Sequence, residues 1–152
     1  RFEGFPDKGM SVGERSRIEL RNNRFESNTA AIAVKDSSQA TLVGNDFSGN
    51  QVDVDGFQKK SIFGGGHIWF NEPPSPKLKI YLDKKSTAYT AQSLSVFANA
   101  VSNLQQGKSI NPSEGWRQVA KTVQDPTAWR VPPDFSSDDK PTASNGAAKG
   151  DR

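Results

Sequence analysis

Short runs of alternating apolar and polar residues, separated by Asn, Gly, Asp and Ser, fill residues 10–55. Ile18 and Leu20 lie two positions apart, as do Ile32 and Val34. An apolar residue at every second position is typical of a β-strand, because successive side chains point to opposite faces of a sheet. The pattern predicts three short strands in each stretch of this kind, over 17–21, 24–27 and 32–34.

The alternating pattern repeats along the chain with an offset of 22 residues. SRIELRNNRFESN (16–28) aligns with SQATLVGNDFSGN (38–50), and MSVGERS (10–16) aligns with IAVKDSS (32–38). A fixed period of this length indicates a repeat fold in which each unit stacks on the one before. Because no helix fits within the period, we expect coils of parallel strands stacked about 4.8 Å apart.

The repeat predicts columns of inward-facing apolar residues along the axis of the coil. In two of these columns the last interval is 20 residues and not 22. We therefore expect two extra residues in the turn NTAAIAV, where an insertion costs little. Ile62, which lies 22 residues beyond Ala40, would continue the coil, and Trp69 would follow Phe47 by the same interval. The expected columns are Met10–Ile32–Val52, Val12–Val34–Val54, Ile18–Ala40, Leu20–Leu42 and Phe25–Phe47.

Two pairs of asparagines fall in register at the expected bends. Asn23 aligns with Asn45, and Asn28 aligns with Asn50. Asn tolerates unusual backbone angles, and its side chain satisfies backbone groups at turns. Stacked amides can also bond along the column, so each pair is expected to form a rung of a hydrogen-bonded ladder.

The segments IELRNNRFESN and ATLVGNDFSGNQVDV resemble coils of the right-handed parallel β-helix repeat family, the pectate-lyase-like superfamily. The resemblance covers about residues 7–70, and DKGMSVGE, IAVKDSS, QKK and FGGG are also similar to the last coils of bacterial surface β-helix proteins. It implies an all-β solenoid, the last coils of a right-handed parallel β-helix, and the patterns after residue 70 add a short strand, a helical cap and a disordered tail. This superfamily hosts lyases, hydrolases, epimerases, adhesins and spacers, so the resemblance implies a fold and leaves the function open.

Three regions are expected along the chain. Residues 1–70 form the coils, and because the first residue is Arg1 and only a few coils are visible, we expect them to be the C-terminal part of a longer solenoid. Residues 71–135 are expected to cap the open end with a strand over 77–83, a helix over 91–106 ending at Gly107, and a second helix over 113–124. Residues 136–152 are too polar to bury a core and are expected to be disordered.

Composition and charge narrow the classes of function. The chain has a net charge of +3, and its one basic stretch, KLKIYLDKK, is better explained as a solvated strand face than as a nucleic-acid surface. There is no cysteine, and no apolar run is long enough for a membrane span. The single histidine, His67, has no partners spaced as metal ligands, so it is a poor candidate for a metal site or a general base.

The first candidate site is a charged turn. Glu14 and Asp36 are expected to stack one coil apart beside Lys35, with Asp53 and Asp55 at a neighbouring strand end. Closely stacked acids repel unless a cation offsets them, and either Lys35 or a bound Ca²⁺ could do so. Two carboxylates about 5–10 Å apart are also the arrangement of glycosidases. The alternative interpretation is a solvated turn with a compensating lysine.

The second candidate site is the outer face of the sheet that contains residues 17–21. Its outward positions are polar and could hydrogen-bond a sugar chain, but none is expected to be an aromatic platform. If this face is solvated, Thr41→Asp should be mild, whereas Phe47→Asp should unfold the coil. The residues assigned to this face are Arg17, Glu19, Arg21, Gln39 and Thr41.

Two functions are compatible with these patterns. The first is a structural or binding module of an extracytoplasmic β-helix protein that contacts polysaccharide or another cell-surface component and carries no catalysis in this part of the chain. The alternative is the C-terminal part of a polysaccharide lyase or glycoside hydrolase whose active coils lie upstream. Secretion, a cell-surface position or a periplasmic location is implied by the resemblance only.

Overall fold

The computed structural model describes residues 1–91, 94–108 and 116–118, and these residues form a coil of short strands followed by one helix. Strands are observed at the predicted segments 17–21, 24–27 and 32–34, with differences of one or two residues at some of their ends. The elements are β1 (Phe2–Glu3), β2 (Lys8–Val12), β3 (Arg17–Arg21), β4 (Arg24–Glu26), β5 (Ala30–Lys35), β6 (Gln39–Val43), β7 (Asp46–Ser48), β8 (Val52–Phe57), β9 (His67–Phe70), β10 (Ile80–Leu82), β11 (Thr87–Ala91), α1 (Leu94–Gln105) and β12 (Trp116–Gln118).

Strands of successive coils stack into three sheets, which form the walls of a parallel β-helix. The first wall is β1–β4–β7, the second is β2–β5–β8–β10, and the third is β3–β6–β9–β11–β12. Neighbouring strands are parallel, except that β12 runs antiparallel to β11. Among the described strands, the first wall ends at β7. The second wall continues for one more strand, β10, and the third wall continues for two more strands, β11 and β12. The expected β-solenoid is confirmed.

The register confirms the 22-residue repeat and corrects one predicted interval. Ile18 pairs with Ala40, and Phe25 pairs with Phe47, as expected. Ile32, however, pairs with Val54 and not with Val52, so the interval remains 22 and the turn NTAAIAV contains no insertion. The prediction was wrong because β5 begins at Ala30, earlier than expected. A shift of two residues leaves the same side chains facing inward, so alternation alone cannot detect it.

The third coil departs from the repeat by an insertion. Ala40 pairs with Ile68, and Thr41 pairs with Trp69, so the offset grows from 22 to 28 residues. The extra residues form the loop 58–66 between β8 and β9. The predicted continuation was therefore wrong: Ile62 is 78% exposed at this loop, and Trp69 lies in the third wall instead of following Phe47 in the first.

Aliphatic and aromatic side chains fill the space between the walls. Phe25 is fully buried and stacks on Phe2 at a ring-centroid distance of 4.8 Å and on Phe47 at 5.4 Å. This column was predicted for Phe25 and Phe47, and Phe2 extends it by one coil. Other members of the core cluster include Leu20, Ile32, Val34, Leu42, Val54, Ile68, Phe70 and Ile80.

Helix α1 ends as predicted and lies against the third wall. Gly107 has φ of 73°, its N–H bonds to the carbonyl of Leu104, and the N–H of Lys108 bonds to the carbonyl of Asn103, so the helix ends in a Schellman cap. The helix contacts β3 and β11, which lie three strand spacings apart, about 14 Å. Its 12 residues span about 18 Å, so it crosses the third wall on the outside, and the cap expected over 71–135 stays a prediction.

This helix overturns the expectation for Thr41. Thr41 faces outward in the third wall but is fully buried, because a face predicted to be solvated is covered. Thr41→Asp would therefore bury a carboxylate, and a mild effect is no longer expected. The second predicted helix, over 113–124, is wrong at 116–118, where the chain forms β12 and pairs with β11. The rest of that helix and the predicted disordered tail lie outside the described residues.

Candidate functional site

The charged turn is built by two tight corners stacked one above the other. Glu14 and Asp36 occupy equivalent positions with φ of 58° and 57°, and the residue after each also has a positive φ. Two consecutive left-handed residues form a type I′ turn. The structure therefore stacks Glu14 and Asp36 as predicted, at the corner between the second and third walls.

Asp36 is used to hold the inserted loop. Its side chain is 1% exposed, and Oδ1 accepts the backbone N–H groups of both Lys59 and Lys60 at 2.8 Å. The next residue, Ser37, continues this contact, because its Oγ accepts the N–H of Gly64 at 2.6 Å and its own N–H bonds to the carbonyl of Gly65 at 2.9 Å. Asp36 thus gives two backbone N–H groups of the loop an internal acceptor in place of water, and it holds the loop against the coil.

Glu14 and Lys60 form an exposed ion pair at the same corner. The hydrogen bond from Lys60, together with its charge, lowers the pKa of Glu14, and the same bond raises the pKa of Lys60. Lys35 does not serve as the main counter-charge to the acids. Burial lowers the pKa of Lys35, and the neighbouring charges of Lys59 and Lys8 lower it further. The stacked acids are therefore offset by Lys60 and by backbone N–H groups.

Asp53 and Asp55 are not part of this turn. Asp53 lies near the start of β8, where Oδ1 accepts the side-chain N–H of Asn50 at 3.0 Å and Oδ2 accepts the backbone N–H of Lys79 at 2.9 Å. Asp55 is fully buried in the middle of β8, beside Ala33 and Tyr81 in the sheet register. Because β8 runs from Asp53 toward the charged turn, Asp53 lies at the end of the strand that is far from the turn, and Asp55 lies in between. The predicted cluster of four acids and a lysine is therefore spread along the coil.

The outer face of the third wall is aromatic, contrary to the prediction. Trp69 follows Thr41 in the register and stacks on Tyr89 at a ring-centroid distance of 5.8 Å. Trp69 is only 2% exposed, so this platform is covered and not open to a sugar chain. The prediction missed this stack because it did not count the six-residue insertion and therefore assigned Trp69 to the first wall, after Phe47.

The polar residues of this face pair locally. Arg21 forms an ion pair with Glu19, and Gly107 at the end of α1 lies close to the guanidinium of Arg17. His67 Nδ1 lies 2.8 Å from Thr87 Oγ1, and burial lowers the pKa of the imidazole. The predicted residues Arg17, Glu19 and Arg21 are brought together on one face, but the part of that face over Thr41 and Trp69 is closed.

A groove that sequence reasoning did not identify lies where the first wall ends. It has a volume of about 310 Å³ and lies between the β6–β7 corner and the loop that follows β9. Its apolar surface comes from Leu42, Phe47, Phe70, Pro73, Pro74 and Leu78, and the remaining lining residues are Gly44, Asn45, Asp46, Asn71, Glu72 and Ser75.

The groove exists because the phenylalanine column ends there. Phe47 is half-buried: one ring face stacks on Phe25, and no ring stacks on the other face among the residues that the structure describes. In the next coil the segment NEPPSP takes the place of a first-wall strand and stands away from β7. The sequence signal was therefore present, as a Phe column with no third member and a Pro-rich segment in its place.

Other sites are not evident within the described ranges. No three His, Asp or Glu side chains there are grouped as metal ligands would be, and Ca²⁺ at the charged turn stays a prediction. Across 1–91, 94–108 and 116–118, no helix combines the length and the apolar composition that a membrane span requires.

Comparison with known proteins agrees with the architecture. The family model described as "Right handed beta helix region" matches residues 1–111 of the chain. No curated protein and no solved structure matches the sequence. The family match covers every described strand of the three walls except β12.

Proposed function

Because the chain belongs to the right-handed parallel β-helix family, we propose that it is a non-catalytic binding module that holds a saccharide chain in the groove at the end of the first wall. The observation that carries this proposal is the half-buried ring of Phe47 in the lining of a concave site that also contains polar residues. Binding sites for small ligands are commonly concave and mostly apolar, with a few polar groups that set orientation.

The ring of Phe47 suits the face of a sugar. The C–H groups on one face of a pyranose pack against an aromatic face, while the hydroxyl groups at the edge of the sugar need polar partners. Asn71 and Ser75 provide such partners on the loop that faces Phe47. The volume of about 310 Å³ is at the lower end of the range for ligand sites, which fits one or two sugar residues.

The groove is also held rigidly, which favours binding over rearrangement. Asn45 at its wall is locked by three hydrogen bonds: Oδ1 accepts the backbone and side-chain N–H groups of Asn23 at 2.9 and 3.1 Å, and Nδ2 donates to the carbonyl of Leu20 at 2.7 Å. On the opposite side, the N–H of Asn71 bonds to the carbonyl of Leu42 at 3.1 Å. A preformed site loses little conformational entropy when it binds.

The carboxylates first considered for chemistry support a binding role more than a catalytic one. Asp36 and Asp53 are buried and accept hydrogen bonds that hold the loop and the start of β10 in place. A catalytic acid or base must instead reach a proton of the substrate. A polysaccharide ligand also implies an extracytoplasmic position for the module, which is part of the proposal.

The experiment compares variants of Phe47 in a glycan array and in calorimetric titration with the oligosaccharides that bind. Phe47→Leu keeps an apolar side chain but removes the aromatic face, so affinity should fall about tenfold. Phe47→Tyr is the matched control and should retain binding. Circular dichroism checks that both variants keep the coil. Unchanged affinity in Phe47→Leu, or no saccharide bound by the unaltered chain, would overturn the proposal.

The alternative function is that this chain is the C-terminal part of a polysaccharide lyase or glycoside hydrolase whose active coils lie upstream. Its support is the known range of this superfamily and the stacking of Glu14 on Asp36. A turnover screen on the longer protein, with and without Ca²⁺, separates the two functions. Turnover lost on Asp36→Asn, with the coil still folded, would favour the enzyme.

A further inference from the structure

We propose that the groove selects its ligand by charge, accepting neutral and amino sugars and rejecting uronic acids. This inference rests on the proposed saccharide function and names the class of sugar that the same site takes. Two carboxylates, Asp46 and Glu72, belong to the lining, and none of the twelve lining residues is a lysine, an arginine or the histidine. The site is thus negative on both sides.

The two carboxylates belong to opposite sides of the groove. Asp46 begins β7 below the opening, and Glu72 belongs to the loop that faces it. Both residues are exposed, and neither side chain forms an ion pair with any residue that the structure describes. Their charge is therefore available to a ligand in the groove.

The cation closest to Asp46 in the sheet register is engaged elsewhere. Arg24 pairs with Asp46 in the ladder between β4 and β7, but its Nε lies 3.2 Å from Glu26 Oε2. Glu26 also takes the guanidinium of Arg1 at 2.8 Å. On this wall the basic side chains thus turn toward Glu26, one coil below, and neither forms an ion pair with Asp46.

The amide of Asn45 does not offset this charge. The amide of Asn45 is already committed to the ladder with Asn23, so it cannot turn its N–H groups toward an anionic ligand without breaking that ladder. A uronate carboxylate entering the groove would then face two like charges at short range, whereas the ammonium group of an amino sugar would gain two attractions. At the edge of a protein surface the two interactions together change affinity by about tenfold at low salt.

The test uses oligosaccharides that share one β-1,4-linked gluco backbone and differ only in charge. These are cello-oligosaccharides, the fully deacetylated glucosamine oligomers, and the corresponding glucuronic acid oligomers, all of the same length. Calorimetric titration in 20 mM salt should rank the glucosamine oligomer first and the glucuronic acid oligomer last, with about tenfold between steps. In 1 M salt the Debye length shrinks to about 3 Å, so the steps should nearly disappear.

The double variant Asp46→Asn/Glu72→Gln removes the two charges with little change in shape. In this variant, the ratio of the affinity for the glucosamine oligomer to the affinity for the glucuronic acid oligomer should fall by about tenfold or more. Glu3→Gln/Asp7→Asn is the matched control, because it removes two exposed carboxylates that do not line the groove, and it should leave that ratio unchanged.

The outcomes separate the two proposals. Equal binding of the three oligomers, preference for the glucuronate oligomer, or an unchanged ratio in Asp46→Asn/Glu72→Gln would overturn the charge selection and leave the saccharide function standing. Binding of none of the oligomers, with no saccharide bound in the glycan array, would overturn both. The expected ranking, lost in the double variant and kept in the control, would support the inference.

Discussion

Asparagine side chains at two corners of the coil show how single residues join one coil to the next. Asn50 Oδ1 accepts the backbone and side-chain N–H groups of Asn28 at 2.9 and 3.0 Å, and Nδ2 donates to the carbonyl of Phe25 and to Asp53. Asn23 and Asn45 repeat the arrangement at the other corner. The predicted ladders are confirmed, and the amides of Asn28, Asn45 and Asn50 each use both a donor and an acceptor.

At this scale we expect Asn50→Asp to be strongly destabilising. The new carboxylate would face the Phe25 carbonyl and the Asp53 carboxylate in a site that is 2% exposed, so the free energy of unfolding should fall by about 3 kcal/mol or more. Asn22→Asp is the control: Asn22 is exposed with φ of 55°, a conformation that Asp tolerates, and should change by less than about 0.5 kcal/mol. Urea unfolding measures both, and equal losses would refute the ladder as a buried network.

His67 makes the stability depend on pH. Burial lowers the pKa of the folded imidazole below the usual 6.5, so folding favours the neutral ring. The resulting stability is fully present above about pH 6.5 and is lost as the pH falls below that value toward the folded pKa. Urea unfolding at pH 7.5 and 5.5 should show a larger loss for the unaltered chain than for His67→Gln. A loss of equal size in both chains would contradict this linkage.

At the scale of elements, the corners between walls differ more than the strands do. Three corners between the second and third walls are four-residue turns closed by backbone hydrogen bonds of 3.3, 3.1 and 3.3 Å: Gly13 to Ser16, Lys35 to Ser38 and Asp83 to Ser86. The corner between β8 and β9 is instead the loop 58–66, which docks on Asp36 and Ser37 below it and on Ser86 above it. Gly65 and Gly66 let this loop return to the coil, because a Cβ at either position would lie within 2.4 Å of neighbouring backbone.

The glycines of that loop should differ sharply in their tolerance of a side chain. A Cβ at Gly66 would lie 2.0 Å from the carbonyl oxygen of Val34, so Gly66→Ala must displace backbone and should cost about 3 kcal/mol or more. At Gly64 the nearest atom would be Ser37 Oγ at 3.2 Å, which can rotate, so Gly64→Ala should cost less than about 1 kcal/mol. Thermal unfolding compares the two. Similar melting temperatures would show that the loop does not pack against β5 as described.

At the scale of the whole molecule, α1 joins the first complete coil to the fourth. Its contacts with β3 and β11 bridge strands that belong to coils far apart in sequence. Val101 and Leu104 are buried, whereas Ala98 and Ser102 are exposed, so one side of the helix faces the wall. The helix thus closes the aromatic outer face that would otherwise present Trp69 and Tyr89 to solvent.

Leu104→Asp should detach this helix without unfolding the coil. Leu104 is 7% exposed, and an uncompensated carboxylate at the interface should cost about 2–3 kcal/mol of docking free energy. Hydrogen exchange should then become faster for the helix amides, while those of β5 and β6 stay protected. Ser102→Asp, at an exposed position, is the control. Equal protection of the helix in both variants would mean that it does not depend on this contact.

The sequence by itself determined the coil and much of its interior. Period-two alternation and the 22-residue offset predicted the strands, the pairing of Phe25 with Phe47, and both asparagine ladders, which the structure confirms. These features repeat within a short stretch, and a residue one period away is also its neighbour in space. Local pattern and tertiary contact therefore carry the same information.

Only the tertiary structure decided the positions that depend on loop length and on distant elements. Alternation is blind to a shift of two residues, so it placed Val52 where Val54 belongs, and it did not count the insertion that moved Trp69 to the third wall. Nor could it show that a helix far along the chain buries Thr41, or that NEPPSP leaves a groove over Phe47. Both outcomes arise from packing between segments whose relative placement no local periodicity records.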